Sequence, residues 1–347
     1  MNASHAVSLP AWHGQLIVAK IIDVAADVKV FRLVSPAGGS LPFHFAPGQY
    51  LSFRLAEGDR IFTRSYSICS APGQQDFCDI AVKRMDEGRG SVYLHERIAS
   101  GQSLTCIGPV GDFTFTGAEA DSIVMIAGGI GITPLLSVLR HLAQSNWPHE
   151  VYLLFAIRTP ADILFEQEIR AIAQRYRHFK YLILPSRVSG FAWEGPSGRI
   201  QAKHLADFVP HIDRRRVHLC GPEPMMAATI AVLQALNVSD AQIHTELFGN
   251  GNVVAIDGLA GATVTFATSA KTCFAPPGMT LLDAAEECGV AIESLCRAGT
   301  CGTCKVKMLA GEAIMQRDDA LTTRDIQHRI VLACQARATT ADIRLEC

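Results

Sequence analysis

Four cysteines toward the carboxyl end of this 347-residue chain have a spacing that can do chemistry. Four residues separate Cys296 from Cys301, two separate Cys301 from Cys304, and Cys334 follows later. Iron bridged by sulfide takes soft, anionic thiolates, two for each iron, and C-x4-C-x2-C…C is the spacing of a [2Fe–2S] site. Three ligands then come from one loop and the fourth from a strand returning beside it. Gly299 and Gly302 let backbone N–H groups approach the cluster sulfurs. Zinc competes for thiolates, but its two matched C-x2-C pairs are absent. The chain holds 11 cysteines, seven of them in the last 75 residues. Of those seven, Cys273, Cys288 and Cys347 fit no ligand pattern and are assigned to packing or solvent exposure.

Further upstream, Arg64-Ser65-Tyr66-Ser67 falls in a strand-like segment, where period two sets Arg64 and Tyr66 on one face and Ser65 and Ser67 on the other. A cation, an aromatic ring and hydroxyls suit a phosphate, a ring to stack on and a hydrogen-bonding ring nitrogen, the needs of a flavin. Gly88-Arg89-Gly90-Ser91 opens a helical stretch, where free N–H groups face phosphate. A second glycine turn, Gly128-Gly129-Ile130-Gly131-Ile132-Thr133-Pro134, departs from the full G-x-G-x-x-G pattern. It does sit between a strand and a helix, the context that brings backbone against a pyrophosphate. Cys220-Gly221-Pro222 ends a later strand in the same way, and Cys220 alone reads equally well as a buried core thiol.

The elements that must position these residues fall into three blocks. Residues 14–117 hold short alternating strands at 15–24, 28–33, 49–54, 64–69, 77–84 and 103–107, with one helix at 91–99. Pro47-Gly48 and Pro72-Gly73 punctuate them, and an antiparallel β-barrel or sandwich is expected. Residues 120–248 alternate apolar runs (122–127, 150–156, 180–185, 216–220) with helical stretches (134–143, 161–174, 223–236). That pattern is an α/β domain with a parallel sheet covered on both faces. Gly249-Asn250-Gly251-Asn252 opens a linker at 249–261. Residues 262–347 read as a small α+β domain: a strand at 262–267, a helix at 280–288, the cysteine loop, then apolar runs at 305–309 and 329–334.

Composition narrows the function. Hydrophobic residues are 49% and charged residues 18%, which suits packed cores rather than disorder. With 31 Lys+Arg against 33 Asp+Glu, the net charge of −2 argues against nucleic acid or an anionic membrane as partner. No uncharged apolar run reaches the ~18 residues of a membrane span, since glycines and Pro134 break 123–139. An odd cysteine count is a poor disulfide framework, and residues 1–10 show no basic-then-apolar leader, so the cytoplasm is the expected compartment.

The carboxyl block resembles a plant-type ferredoxin domain of the β-grasp kind. The match rests on Met279-Thr280-Leu281-Leu282-Asp283-Ala284-Ala285, on the run Ser294-Leu295-Cys296 through Cys304, and on Val331-Leu332-Ala333-Cys334. The first two blocks resemble the ferredoxin–NAD(P)+ reductase superfamily. Five motifs in order carry that likeness: Phe45-Ala46-Pro47-Gly48-Gln49-Tyr50, Arg64 to Ser67, Gly108-Pro109-Val110-Gly111, Gly128 to Pro134, and Cys220 to Pro222. The resemblance implies an FAD-binding barrel, with FAD preferred over FMN because Val92-Tyr93-Leu94 follows the phosphate turn. It implies that Arg64, Ser65, Tyr66 and Ser67 bind the flavin, and Gly88, Gly90 and Ser91 its phosphates. Glu246 and Phe248 then lie near the flavin ring. Gly129, Gly131, Thr133, Arg158, Cys220, Gly221 and Pro222 bind the dinucleotide, with Ser67, Cys220 and Glu246 catalytic. Ser186 and Arg187 follow a strand end where a cation meets a 2′-phosphate, so NADH and NADPH both stay open.

The module order implies electron transfer from NAD(P)H through FAD to a [2Fe–2S] cluster. It resembles the reductase components of Rieske-type oxygenases, in the phthalate dioxygenase and glycine betaine or stachydrine demethylase groups. No haem motif or mononuclear-iron triad is found, so terminal chemistry falls to a partner protein. That partner is read as a terminal oxygenase, and the reductase as a monomer. The alternative acceptor is a hybrid-cluster protein, whose reductase has the same modules. A flavohaemoglobin-like or quinone-directed enzyme is disfavoured by the missing haem ligands. Residues 262–347 carry 10 acids and 9 bases, too balanced for strong electrostatic steering.

Overall fold

A computed structural model describes residues 12–58, 60–86, 88–248, 261–295, 297, 299, 301–315, 318 and 320–347. Apart from Gly261, the expected linker lies outside the described residues, as does Cys296.

The first strands are β1 (Trp12–Ala25), β2 (Val28–Val34), β3 (Tyr50–Glu57), β4 (Arg60–Ser67) and β5 (Cys78–Lys83). Helix α1 (Arg89–Arg97) and β6 (Ser103–Val110) follow. They build a six-stranded antiparallel sheet in the order β4-β3-β6-β1-β2-β5. Alternation along β2 drives this: Val28, Val30, Leu33 and neighbouring Phe31 are buried, while Lys29 and Arg32 are only partly so. The fourth strand starts and ends earlier than the expected 64–69. Ile68 joins the sheet only through a single bridge to Ile80, and Cys69 N–H is taken by the Asp79 carbonyl at 2.8 Å.

The parallel sheet uses β7 (Ser122–Gly128), β8 (Glu150–Ile157), β9 (Phe179–Pro185), β10 (Arg216–Gly221) and β11 (Ile243–Leu247), ordered β11-β10-β7-β8-β9. Its helices are α2 (Ile132–Gln144), α3 (Glu166–Arg175), α4 (Ala202–Phe208) and α5 (Glu223–Ala235). Period two along β7 explains the two covered faces. Ile123, Met125 and Ala127 pack with Leu135, Leu139 and Ile169, while Val124 and Ile126 pack with Leu205, Met226 and Leu233. The helix expected at 161–174 is divided. Thr159 and Asp162 close a capping box on a short turn at Pro160–Asp162, and Phe165 turns left-handed (φ 56°) before α3 starts.

The carboxyl region carries β12 (Ala262–Phe266), β13 (Lys271–Ala275), α6 (Leu281–Glu287), β14 (Lys305–Ala310), β15 (Ala313–Met315), α7 (Thr323–Gln327), β16 (Ile330–Leu332), β17 (Ala336–Ala338) and β18 (Asp342–Leu345). Five strands form the sheet β13-β12-β18-β14-β16, and β15 pairs with β17. Helix α6 starts where a polar cap meets apolar residues: Thr280 accepts from the Asp283 N–H at 3.1 Å. Its Leu281, Leu282, Ala284 and Ala285 then enter a core with Val264, Phe266, Val306 and Leu345.

Internal contacts divide the chain into two compact units. Of the described residues, one comprises those within 12–51, 66–103 and 108–248, and the other those within 52–65, 104–107 and 261–347. Among the described residues no helix is long and apolar enough to cross a membrane.

Candidate functional site

In the first unit, the glycine turns meet at the carboxyl edge of the parallel sheet, where ligands of open α/β sheets bind. The turn after β7 (Gly129–Gly131) and the end of β10 pack back to back. A Cβ on Gly131 would land on the Cys220 carbonyl, and one on Gly221 would come 2.9 Å from the Gly128 Cα. Only glycine permits this approach, and it keeps the backbone of both turns open to a pyrophosphate. Thr133 is buried in the first turn of α2, its hydroxyl donating to the Ile130 carbonyl at 3.1 Å. On the neighbouring strand ends the structure brings together Arg158, Ser186 and Arg187. Ser186 Oγ and Arg187 N–H both donate to the Arg158 carbonyl, at 3.2 and 2.9 Å, and all three residues are exposed.

Register places two further candidates side by side. β10 and β11 run parallel with Cys220 opposite Glu246. Across 179 residues of sequence, Ser67 Oγ donates to Glu246 Oε2 at 3.2 Å. Burial pushes the Glu246 carboxyl up to about 8; nearby Asp112 adds to this, while the Ser67 hydrogen bond opposes it. Burial likewise drives the Cys220 thiol well above its usual range, with Glu246 adding to the effect. At neutral pH, then, Glu246 holds a proton beside the Ser67 hydroxyl, next to a neutral thiol. Phe248, just past β11, is 36% exposed.

Sequence reasoning missed the surroundings of this pair. Asp112 directly follows the Gly108–Gly111 motif, its one available signal. His218 and His244 pair two residues earlier in the register, with ring centroids 5.1 Å apart. His218 is buried against Phe113, and its Nδ1 lacks a hydrogen-bond partner among the described residues. Burial, with Arg216 and His244 close by, holds His218 neutral.

The raised Glu246 carboxyl fixes the sign of a pH dependence. Between its ordinary value of 4.5 and about 8, the folded chain keeps a proton that the unfolded chain has released. Its contribution to stability therefore falls as pH rises through that window and is level above it. Glu246→Gln removes the ionisation while preserving shape. The variant is expected to melt on the order of 5 °C above the parent at pH 8 and close to it at pH 5, as calorimetry would read. Equal Tm differences at both pH values would contradict the assignment.

The phosphate turn is internally bonded. Ser91 Oγ accepts from the Met85 N–H at 3.0 Å and donates to the Gly88 carbonyl at 2.9 Å, shaping the start of α1, with Gly90 buried in its first turn. Tyr66 is half-buried.

In the second unit, Ser65 Oγ lies 2.8 Å from Ser52 Oγ and donates to the Leu295 carbonyl at 3.2 Å. Arg64 is largely buried and donates to the Thr63 carbonyl at 2.8 Å and to Glu286 at 3.3 Å. Burial, then the neighbouring Arg297 charge, lowers the pKa of its guanidinium. Arg297 joins Glu286 at 2.7 Å and also pairs with Asp283. This two-arginine, two-carboxylate network was not legible from motifs, because only the fold brings 64 beside 286.

The cysteine loop lies alongside. Cys304 and Cys334 are buried, with sulfurs 3.3 Å apart. Cys301 is exposed, its sulfur accepting from Thr303 Oγ1 at 3.2 Å. Gly299 and Gly302 adopt φ of 81° and 71°, the left-handed turns that the loop needs. Gln335, buried beside Cys334, donates to the Arg297 carbonyl at 2.9 Å. Among the described residues, which exclude Cys296, no three metal-binding side chains converge. The donor set still fits a [2Fe–2S] cluster: two apposed buried thiols, a third on the glycine loop, and no hard oxygen ligand in the motif.

These features define a class: a flavin- and nicotinamide-dependent oxidoreductase with an iron–sulfur domain. Three family models match in that order. They are an oxidoreductase FAD-binding domain over residues 15–115, an oxidoreductase NAD-binding domain over 125–230, and a 2Fe-2S iron-sulfur cluster binding domain over 264–339. The glycine betaine monooxygenase reductase subunit of Chromohalobacter salexigens is 33% identical, covering 91% of this chain and 90% of the relative. The stachydrine N-demethylase reductase subunit of Rhizobium meliloti is 29% identical over 89% of this chain and 90% of its own. The structure of phthalate dioxygenase reductase, described as modular for electron transfer from pyridine nucleotides to [2Fe-2S], superposes with a TM-score of 0.71 at 25% identity. It covers 96% of this chain and 98% of that one. The chain belongs to the ferredoxin–NAD(P)+ reductase superfamily, in the group with a carboxyl-terminal plant-type [2Fe–2S] domain. It is an NAD(P)H-dependent oxidoreductase using FAD and a [2Fe–2S] cluster.

Proposed function

We propose that this chain is the reductase component of a two-component oxygenase, delivering electrons from NAD(P)H to a terminal oxygenase of the Rieske type. It works as a monomer in the cytoplasm, in three modules spanning residues 14–117, 120–248 and 262–347. One observation carries the reading: a reductase subunit of a glycine betaine monooxygenase aligns over nine-tenths of both chains, through all three modules. The same match favours an oxygenase over a hybrid-cluster protein as acceptor.

When bound, flavin supplies the change from paired electrons of a hydride to the single electrons that a [2Fe–2S] centre accepts. The chain's own residues supply the rest. Glu246 holds a proton on its carboxyl, and Ser67 Oγ donates to its Oε2 from 3.2 Å. Neutral Cys220, buried at the end of β10, places no charge behind the turn where a nicotinamide would lie. The turns at Gly129, Gly131, Gly221 and Pro222 present backbone to the pyrophosphate. Arg158, Ser186 and Arg187 form the polar end of the dinucleotide site, where the two guanidinium groups suit a 2′-phosphate. Arg64, Ser65 and Tyr66, with the Gly88–Ser91 turn, are assigned to the flavin. Cys296, Cys301, Cys304 and Cys334 hold the cluster.

The test mixes the purified reductase anaerobically with a purified Rieske oxygenase acting on an N-methylated substrate, and adds NADH or NADPH. Bleaching of the oxygenase absorption, saturable in oxygenase, is expected. If the oxygenase stays oxidised while the same sample reduces a small dye, the proposed partner is wrong.

A further inference from the structure

Two thiols outside the cluster set meet in the carboxyl region. Cys273 lies on β13 and Cys288 caps the end of α6, and both are partly buried against the same core. One carbonyl gathers them: Cys273 Sγ donates to the Ala284 oxygen at 3.3 Å, and the Cys288 N–H donates to that oxygen at 3.0 Å. The Cys288 side chain lies close enough to act on the Cys273 thiol. Lys271 Nζ donates to the Cys288 and Gly289 carbonyls at 3.3 and 2.8 Å, fixing the end of α6 beside β13. Adjacent thiols held on two elements of one core need little backbone movement to bridge.

We propose that Cys273 and Cys288 form a reversible dithiol–disulfide pair, a modification site separate from the cluster cysteines and oxidised by hydrogen peroxide. The Cys288 sulfur attacks peroxide; the O–O bond breaks, giving a sulfenic acid and water. Cys273 sulfur then attacks Cys288, the S–S bond forms, and the sulfenic hydroxyl leaves with the Cys273 proton as a second water. Two thiols and one peroxide thus give one disulfide and two waters. Burial first, and the Cys288 contact second, push the Cys273 thiol up to about 12, so Cys273 is the resolving partner and not the first to react. The bond fastens the end of α6 to β13. Earlier on the same helix, Asp283 and Glu286 hold Arg297 in the cysteine loop.

The experiment treats the full, cluster-loaded chain with equimolar hydrogen peroxide, blocks free thiols, and maps peptides by mass spectrometry without reductant. The expected product is one peptide pair joined through Cys273 and Cys288, lighter by two hydrogens and released by dithiothreitol, with cluster absorption unchanged. Cys288→Ser should leave Cys273 unmodified. Given a second equivalent of peroxide, Cys273→Ser should let Cys288 proceed to sulfinic acid. A parent chain that carries sulfinic acid at Cys288 without the cross-link, or that links only cluster cysteines, overturns the proposal. Because the decisive map is of the parent chain, the result does not depend on either variant folding.

Discussion

Cys304→Ser is expected to lower reduction of a protein acceptor by more than about 100-fold, since loss of mere supporting contacts around a metal typically costs 10–100-fold. NAD(P)H-driven reduction of a small two-electron dye should stay within about twofold. Cys304 is 2% exposed, its sulfur lies 3.3 Å from Cys334, and its carbonyl accepts from the Ala333 N–H at 3.0 Å. The backbone on both sides of the replacement is therefore held, and the change falls on the ligand itself. A serine hydroxyl is hard and un-ionised at neutral pH, whereas iron in a sulfide-bridged cluster takes soft anionic thiolates. The dye is spared because the Ser67–Glu246 pair and the glycine turns of the parallel sheet lie in the other compact unit. Iron and acid-labile sulfide per chain, with the two assays run in parallel, read the outcome. Loss of both activities with the fold intact by circular dichroism would contradict this division of labour.

The contrast between Cys304 and Glu246 shows what the sequence discloses. Cysteine ligands announce themselves because three of them share one loop, so spacing alone carries the geometry. The apolar runs that became β7, β8, β9 and β10 were legible for a similar reason: a strand buried on both faces has to be apolar throughout. Glu246 came only through family resemblance and Ser67 only as a strand hydroxyl suited to a flavin, and no local pattern says that β11 will set that carboxylate against a hydroxyl 179 residues away. Asp112, which helps keep Glu246 protonated, gave no signal beyond its place after a glycine motif. Short or mixed-polarity elements escaped as well. The burial pattern of β13 leaves only Ala275 fully buried, and α4 presents a single buried residue, Leu205. With so little apolar periodicity, their formation is decided by pairing and packing with distant elements, which local propensity does not report.

Arg297→Ala should destabilise the carboxyl region by about 3–5 kcal/mol, the cost of removing one partner from a buried ion pair. The Arg297 side chain is 8% exposed, and those of its partners Glu286 and Asp283 are 9% and 20% exposed. Burial opposes the guanidinium charge, but the two carboxylates outweigh it, so their removal from contact strands real charge in the interior. Arg64, 3.3 Å from Glu286, stays as a remaining cation and puts the expected loss toward the lower end. Position adds a second effect. Arg297 holds a left-handed backbone (φ 54°), a conformation a non-glycine residue keeps only when its surroundings enforce it, and its carbonyl accepts from Gln335 beside Cys334. Freed of its anchor, the loop should release iron faster on chelator challenge as well as melt earlier. Arg297→Lys should not rescue, since one ammonium cannot match a planar fork that spans two carboxylates. The double change Arg297→Met, Asp283→Asn separates the two effects and leaves Glu286 paired with Arg64. By removing the stranded charge it should recover most of the Tm, yet leave iron release fast, because no guanidinium anchors the loop. Melting curves of the loaded chain and bleaching of cluster absorption under chelator read both. A single variant that melts within about 1 °C of the parent would show that the network does not hold the loop.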